Sequence, residues 1–369
     1  MSRNEWEYSY STDGVVTEPD KIKATIFWGG VESSIRKDVW KYLLDFYKWD
    51  STSVSREKTR ETMRDVYGEL KQKWINRMKE ECKLQFQQQG FDHSSIPIGF
   101  EPPTNPRQFV ATVIGSASAT RLDHSSPAGG ISEFEKNVMT TYGFRELCQV
   151  VAHDVRRTDR ESPLFKEDEG PGLTKLSNVL MTYSYNCSVV NGYAQGMNDL
   201  AATILHVIDD EAQSFWCFKG LMDKVHNQFK TMCLPHLKAV AKLVQMVDPY
   251  LCSYFEKIEA SDMLFLFQSI LLCFKRDFET EQVKRLWEIF WTDQLTPHFH
   301  LFFTLAVVLD SRNEILEQEM DSQDLLMYFK SMNKHNTNIE DCLVLATRLW
   351  LYFEKNATAS QKNDIFEKL

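Results

Sequence analysis

A segment of ten residues near the middle of the chain carries charged side chains at a spacing that suits phosphate chemistry. Residues 151–160 include three arginines and two aspartates. Asp154 precedes Arg157 by three residues, so on a helix its carboxylate can hold the guanidinium in a fixed geometry. A guanidinium held beside a loop neutralises charge on phosphate oxygens. A solvated helix face has the same composition, so the segment alone leaves both interpretations open.

A second polar segment, residues 192–200, combines glycines with Gln195. Gly192 is placed to end a helix near Val190, and Gly196 lets the backbone approach another group closely. Gln195 carries no charge and is a weak base, so in catalysis it would orient a water molecule and not abstract a proton. A helix cap or a turn is the alternative role for this glutamine.

Other catalytic chemistry has little support in the sequence. His153 and Asp154 could begin a metal or hydrolase site, but no H-E-x-x-H or comparable second cluster accompanies them. No G-x-S-x-G segment is present, and Cys148 near His153 lacks a supporting pattern. The eight cysteines are dispersed without a C-x-x-C pair, which is typical of reduced core thiols in a cytosolic protein. We therefore expect neither a metal site nor a disulfide framework.

Composition places the chain among acidic globular proteins. It has 369 residues, of which 43% are hydrophobic, enough for one large core or two smaller ones. The formal charge of -10 argues against nucleic acid or anionic lipid as the main partner, because both reward a basic face. The N-terminus lacks a signal-peptide apolar stretch, and the longest apolar runs, 263–267 and 302–309, are too short to cross a membrane. We expect a cytoplasmic protein without direct membrane insertion.

The elements that position both polar segments are predicted to be helices of an all-α fold. All fifteen glycines lie at or before Gly220, and long stretches without helix breakers favour helix. Beyond Gly220, apolar residues recur at spacings of three and four between Leu264 and Phe274 and between Val283 and Trp291. We expect the prolines of this region to lie at helix boundaries, where proline is tolerated.

The N-terminal part is predicted to hold two helices before a segment of different composition. One helix begins at Ser33 or Ser34 and continues to Tyr47, and a charged helix covers about 55–83. Residues 87–131 then hold five of the eleven prolines and few charges. This composition predicts a flexible insertion within a helical domain.

Three motifs, in this order, resemble the signatures of TBC-domain Rab GTPase-activating proteins. They are Arg36-x-x-x-Trp40, Val151-x-x-Asp154-x-x-Arg157-Thr158 and Tyr193-x-Gln195-Gly196-Met197. The resemblance covers nearly the whole chain. Within the family, the sequence most resembles the subgroup that acts on late-endosomal and lysosomal Rabs. It implies an all-α fold of two lobes with a groove for the GTPase. Residues 1–234 would form the N-terminal lobe, which carries both finger motifs, and residues 235–369 the C-terminal lobe.

The resemblance also implies roles for the motif residues. Arg157 matches the family's arginine finger and Gln195 its glutamine finger, which together accelerate GTP hydrolysis by a GTP-bound Rab-family GTPase in trans. GTP and Mg²⁺ would belong to the partner, in agreement with the absence of a G-x-x-x-x-G-K-[ST] loop from this sequence. The activator would turn over no substrate of its own. Residues implied to support the fingers or to contact the GTPase are Asp154, Thr158, Tyr193, Gly196, Met197, Arg36 and Trp40.

Regulation of vesicle and endosomal trafficking is the cellular function implied by the resemblance, with peripheral recruitment to endosomal or other organelle membranes. Some TBC domains that lack one or both fingers act as Rab-binding scaffolds or effectors, and this binding role is the alternative. Because Arg157 and Gln195 are both present, the sequence favours the catalytic role.

Overall fold

A computed structural model describes residues 1–88, 106–110, 143–168, 170–187, 192–332, 337–367 and 369. Over these ranges the chain is all-α, as predicted, and they contain no strand beyond one isolated antiparallel bridge between Tyr10 and Val16. The predicted insertion at 87–131 lies outside the described residues except at 87–88 and 106–110.

The described residues form eighteen α-helices and one short 3₁₀ helix at Leu264–Leu266. In chain order the α-helices are α1 Arg3–Tyr8, α2 Pro19–Gly29, α3 Ser33–Leu43, α4 Ser53–Gln88, α5 Pro106–Phe109, α6 Phe144–Arg157, α7 Pro171–Asn186, α8 Met197–Ile208, α9 Glu211–Lys230, α10 Leu234–Val247, α11 Pro249–Lys257, α12 Phe267–Leu271, α13 Thr280–Thr292, α14 Phe299–Asp310, α15 Arg312–Glu317, α16 Ser322–Lys330, α17 Ile339–Asn356 and α18 Ala359–Phe366.

Packing divides the chain into two units. The central unit is Leu44–Lys224, and the terminal unit combines Met1–Leu43 with Val225–Leu369. Helix α9 runs through the boundary between them. The first 43 residues therefore pack with the C-terminal helices, and the lobes inferred from the sequence, 1–234 and 235–369, stay a prediction.

In the central unit, α7 is the helix around which the others pack. It contacts α4, α6 and α8, and most of its side chains are buried. The long helix α4 turns one face toward it, with Tyr67, Trp74 and Met78 buried at spacings of seven and four residues. Trp74 Nε1 donates a hydrogen bond to Thr182 Oγ1 of α7 at 2.9 Å. Helix α7 thus fixes α6 and α8, which carry the two polar segments.

In the terminal unit, aromatic side chains hold the first helices against α13 and α14. Trp40 of α3 meets Trp291 of α13 edge-on, with ring centroids 4.8 Å apart. Phe27 of α2 makes the same kind of contact with Phe299 of α14 at 5.0 Å. Helix α14 is buried along almost its whole length and packs against α10 and α17, so it lies at the centre of this unit.

Two predicted helices of the terminal and central units end earlier than expected. Helix α3, predicted to reach Tyr47, ends at Leu43, and Asp45 just beyond it adopts a left-handed φ of 60°. The helix predicted to end near Val190 ends at Asn186, and residues 188–191 lie outside the described part of the chain.

The apolar stretch from Leu264 to Phe274 is also less regular than its spacing predicted. It forms the 3₁₀ helix and then α12, which ends at Leu271, and Phe274 has a left-handed φ of 63°. The prediction for the prolines was correct, since Pro235 and Pro249 lie in the first turns of α10 and α11.

Candidate functional site

The first polar segment forms the last two turns of α6 and the residues after it. Leu147, Val151 and Val155 are buried on one side of the helix, so the exposed side carries Arg156 and Arg157. Two positive charges in the last turn also complement the negative end of the helix dipole. The amphipathic pattern of α6 therefore places the arginines in solvent at a helix terminus.

Asp154 departs from this pattern, because it is a carboxylate on the buried face, only 2% exposed. Its Oδ1 lies 2.8 Å from Arg157 Nη2, which is the ion pair that the three-residue spacing predicted. Its Oδ2 accepts a hydrogen bond from the hydroxyl of Tyr193 at 2.7 Å. The Arg157 side chain stays 39% exposed, so the carboxylate holds one side of the guanidinium and leaves the other accessible.

The electrostatics of the pair favour the ionised carboxylate. Burial acts to raise the pKa of Asp154, but the hydrogen bond of His153, the charge of Arg157 and the hydrogen bond of Tyr193 outweigh it and lower the pKa below its ordinary value. Burial, followed by the neighbouring Asp154 charge, raises the pKa of Tyr193 well above its usual range. At neutral pH a carboxylate therefore faces a neutral phenol that donates to it.

The second polar segment precedes α8 and continues into its first turn. Within this segment, Gln195 lies between buried residues. Tyr193 is 1% exposed and Met197 is fully buried, whereas Gln195 between them is half-buried. Gly196 has a φ of 101°, a conformation that other residues adopt only with strain. Met197 N–H donates to the Ala194 carbonyl at 3.1 Å, which closes the turn. The turn thus presents the Gln195 amide while its flanking residues are anchored.

A residue that sequence reasoning missed connects the two segments. Asn198 is 2% exposed, and its Nδ2 donates to Thr158 Oγ1 at 2.9 Å. Thr158 in turn donates to the Asp154 carbonyl at 2.7 Å. The signal in the sequence for a role of Asn198 was its polar side chain at the start of the apolar helix α8. Its partner Thr158 could not be predicted from the spacing, because it lies 40 positions away.

Arg36 and Trp40, the other two predicted site residues, belong to the terminal unit. Arg36 Nε donates to Glu288 Oε1 at 2.5 Å, and Trp40 Nε1 donates to the same oxygen at 2.9 Å. Burial raises the pKa of Glu288, and the charge of Arg36 acts against that shift. These contacts join α3 to α13. Any support that Arg36 and Trp40 give to a GTPase-binding surface stays a prediction.

Comparison with known proteins identifies the family. Residues 120–316, more than half of the chain, match the family model described as Rab-GTPase-TBC domain. The chain belongs to this family. The matched stretch contains the ion pair of Asp154 with Arg157 and the turn that carries Gln195.

Curated relatives of this TBC domain include fungal and human proteins. GTPase-activating protein GYP7 of Debaryomyces hansenii is 29% identical over 381 residues, which cover 100% of this chain and 46% of that protein. Human TBC1 domain family member 17 is 27% identical over 95% of this chain and 45% of its own length. Human TBC1 domain family member 16 is 30% identical over 87% of this chain and 35% of its own length. The chain spans less than half the length of these relatives.

Solved structures agree on the fold of this TBC domain. The Ypt/Rab-GAP domain of Gyp1p superposes with a TM-score of 0.65 at 15% identity, covering 95% of this chain and 97% of that one. The Chlamydomonas flagellar RabGAP TBC domain superposes with a TM-score of 0.53 at 17% identity, covering 93% of this chain and 89% of that one. The all-α TBC fold predicted from the motifs is therefore confirmed.

The described residues of this TBC domain contain neither a candidate membrane span nor a candidate metal cluster. No helix there is both long enough and apolar enough to span a membrane. No three side chains of histidine, cysteine, aspartate or glutamate in that part of the chain are grouped as a metal site would require.

Proposed function

We propose that this chain accelerates GTP hydrolysis by a GTP-bound Rab-family small GTPase and supplies Arg157 and Gln195 in trans. Membership of the Rab-GTPase-TBC domain family and the names of the GYP7 relatives support the reaction class. The observation that carries the proposal is the double anchoring by Asp154. Its Oδ1 holds Arg157, and its Oδ2 holds Tyr193, which precedes Gln195 by two residues.

The arginine meets the electrostatic demand of phosphoryl transfer. The transferring group carries negative charge on its equatorial oxygens, and a preorganised guanidinium stabilises that charge without moving at the moment of reaction. In Ras, where an activating protein supplies the arginine in trans, the gain is roughly 10³ to 10⁵ in rate, or about 4 to 7 kcal/mol of barrier. Arg157 fits this role because Asp154 fixes it and solvent still reaches it.

The glutamine meets the second demand, which is to position the attacking water. A neutral amide offers a donor and an acceptor, so it can orient water and the γ-phosphate together without removing a proton. Gln195 lies between buried Tyr193 and the left-handed Gly196, and this limits the directions that its side chain can take. GTP and Mg²⁺ come with the partner under this proposal, so the activator contributes side chains and turns over no substrate by itself.

In the cell, the proposed activator works from the cytoplasm and reaches endosomal or other organelle membranes peripherally, through its membrane-bound GTPase. It would there limit the lifetime of the GTP-bound Rab and so regulate vesicle traffic. The resemblance found in the motifs directs the first assays to Rabs of late endosomes and lysosomes.

The test is single-turnover GTP hydrolysis across a panel of Rab GTPases, with phosphate release as the readout. We expect the wild-type chain to accelerate at least one Rab, and Arg157→Ala and Gln195→Ala each to lower the accelerated rate by about 10²-fold or more. We expect both variants to keep the helical circular dichroism of the wild type. The melting midpoint should stay close to wild type in Gln195→Ala, whereas Arg157→Ala should lower it, because the substitution removes the partner of a buried carboxylate oxygen.

The matched control is Arg156→Ala, which removes a positive charge from the same turn at an exposed position. We expect a change of less than about fivefold, because exposed charges act mainly on the association rate. A wild-type chain that binds a Rab without accelerating it would establish the scaffold role instead. Equal losses in Arg156→Ala and Arg157→Ala would show general charge attraction and no arginine finger.

A further inference from the structure

The arginine turn and the glutamine turn are joined in the central unit by a ring of hydrogen bonds that closes through the backbone of residues 193–196. Tyr193 donates to Asp154 Oδ2, and Thr158 Oγ1 donates to the Asp154 carbonyl. Asn198 completes the ring: its Nδ2 donates to Thr158 Oγ1, and its Oδ1 accepts the Gly196 N–H at 3.3 Å. The same Oδ1 lies 3.0 Å from the Tyr193 hydroxyl.

The available protons orient the Asn198 amide in one way. Thr158 has a single hydroxyl proton, which the Asp154 carbonyl takes, so its oxygen is left to accept from an N–H. The Gly196 N–H requires an acceptor on the other side of the amide. Nδ2 must therefore face Thr158 and Oδ1 must face Gly196. The Tyr193 proton goes to the nearer, charged oxygen of Asp154.

We propose that Asn198 is a positioning residue that holds the Gln195 turn in a fixed position relative to the Arg157 turn. This inference rests on the proposed function. Gln195 lies between Tyr193 and Gly196, and Asn198 contacts both of these residues. Asn198 also donates a hydrogen bond to Thr158, the C-cap residue of α6. The four side chains of the ring are 1 or 2% exposed, so water cannot replace a lost hydrogen bond at low cost.

The ring matters for rate because two side chains from different elements must act on one phosphate. A misplacement of about 1 Å can cost about 10²-fold in rate without a change in the identity of any catalytic group. Binding of the GTPase depends instead on the whole contact surface. Loss of the ring should therefore lower the maximal hydrolysis rate and leave the half-saturating activator concentration nearly unchanged.

The first experiment measures GTP hydrolysis as a function of activator concentration for Asn198→Ala and Thr158→Val. We expect each variant to lower the maximal rate by about 10- to 100-fold, with the half-saturating concentration within about threefold of wild type. Thr158→Ser keeps the hydroxyl, and we expect it to restore most of the rate. A wild-type maximal rate in Thr158→Val, or a loss confined to the half-saturating concentration, would overturn the assignment.

Asn178→Ala is the matched control for the loss of a buried asparagine in the same unit. Asn178 is 4% exposed and donates to Glu211 Oε2 at 2.9 Å, outside the ring. We expect this variant to lower the melting midpoint about as much as Asn198→Ala does and to keep the maximal rate. A rate loss in Asn178→Ala equal to that of Asn198→Ala would show that destabilisation alone explains both variants.

Amide hydrogen exchange tests the ring without any GTPase. In Asn198→Ala we expect faster exchange both in residues 154–158 and in residues 192–198, because the asparagine joins the two segments. Faster exchange confined to the second segment would overturn the inference. If the wild-type chain accelerates no Rab, the proposed function fails, and this measurement still decides whether Asn198 couples the two turns.

Discussion

At the scale of single residues, the geometry of the site depends on Asp154. It is a carboxylate on the apolar face of α6, and burial of such a group is costly unless every oxygen has a partner. Arg157 occupies Oδ1 and Tyr193 occupies Oδ2. Arg157 therefore stabilises the fold in addition to the catalytic role proposed for it. Tyr193 stabilises the ionised carboxylate of Asp154, which in turn holds Arg157.

The substitution Tyr193→Phe tests this dependence. It removes the hydrogen bond to Oδ2 and leaves a buried carboxylate oxygen without a donor, so we expect a loss of about 1 to 3 kcal/mol in the free energy of unfolding. The pKa of Asp154 should also rise, because one of the interactions that lower it is gone. Urea denaturation measures the first effect. The exposed Tyr185 provides the control, since Tyr185→Phe should stay within about 0.5 kcal/mol of wild type.

At the scale of elements, two glycines within helices show how closely the central unit is packed. A Cβ at Gly220 of α9 would lie 2.1 Å from the Leu44 carbonyl oxygen, a backbone atom that cannot rotate away. At Gly68 of α4, a Cβ would meet nothing within 4 Å. The first glycine permits a close approach of two backbones, whereas the second only leaves its helix more flexible.

Alanine substitutions at the two glycines should therefore have opposite signs. We expect Gly220→Ala to lower the free energy of unfolding by about 1 to 3 kcal/mol, because α9 must move away from Leu44. We expect Gly68→Ala to raise it by about 0.5 to 1 kcal/mol through the gain in helix propensity. Parallel urea titrations measure both values. A stabilised Gly220→Ala would show that the close approach is not required.

Much of the architecture was predictable because it depends on local sequence. The absence of glycine beyond Gly220 and the three-four spacing gave the all-α class, and the Asp154–Arg157 pair follows from one helical turn. Contacts between distant segments were not predictable. The Asn198–Thr158 hydrogen bond joins positions 40 apart, and the packing of α6 and α8 on α7 and on each other brings them together.

At the scale of the whole molecule, buried ionisable groups determine how stability responds to pH. Burial lowers the pKa of His236 in α10 to about 4, and the pKa of His300 in α14 well below its usual range. An unfolded chain binds a proton at each histidine below about pH 6.5, whereas the folded chain keeps His236 neutral down to about pH 4. Stability is therefore lost as pH falls through this interval.

Asp277 contributes a slope of the opposite sign. It is 3% exposed, its Oδ2 has no hydrogen-bond partner in the described part of the chain, and burial raises its pKa to about 7. Between about pH 4 and pH 7 the folded chain keeps a proton that the unfolded chain has released. This carboxyl group therefore lowers the stability of the folded chain as pH rises, and its ionisation above pH 7 places a negative charge at a buried position with Oδ2 unpaired in the described part of the chain.

Two single variants separate these contributions. Relative to wild type, His236→Gln should gain stability as pH falls from 6.5 to 4, by up to about 3 kcal/mol, since glutamine binds no proton in either state. Asp277→Asn should gain stability as pH rises from 4 to 7, by up to about 4 kcal/mol. Urea denaturation followed by tryptophan fluorescence at half-unit pH steps gives both difference curves. The stability difference should decrease with rising pH for His236→Gln and increase with rising pH for Asp277→Asn, and slopes of equal sign would contradict the assignment.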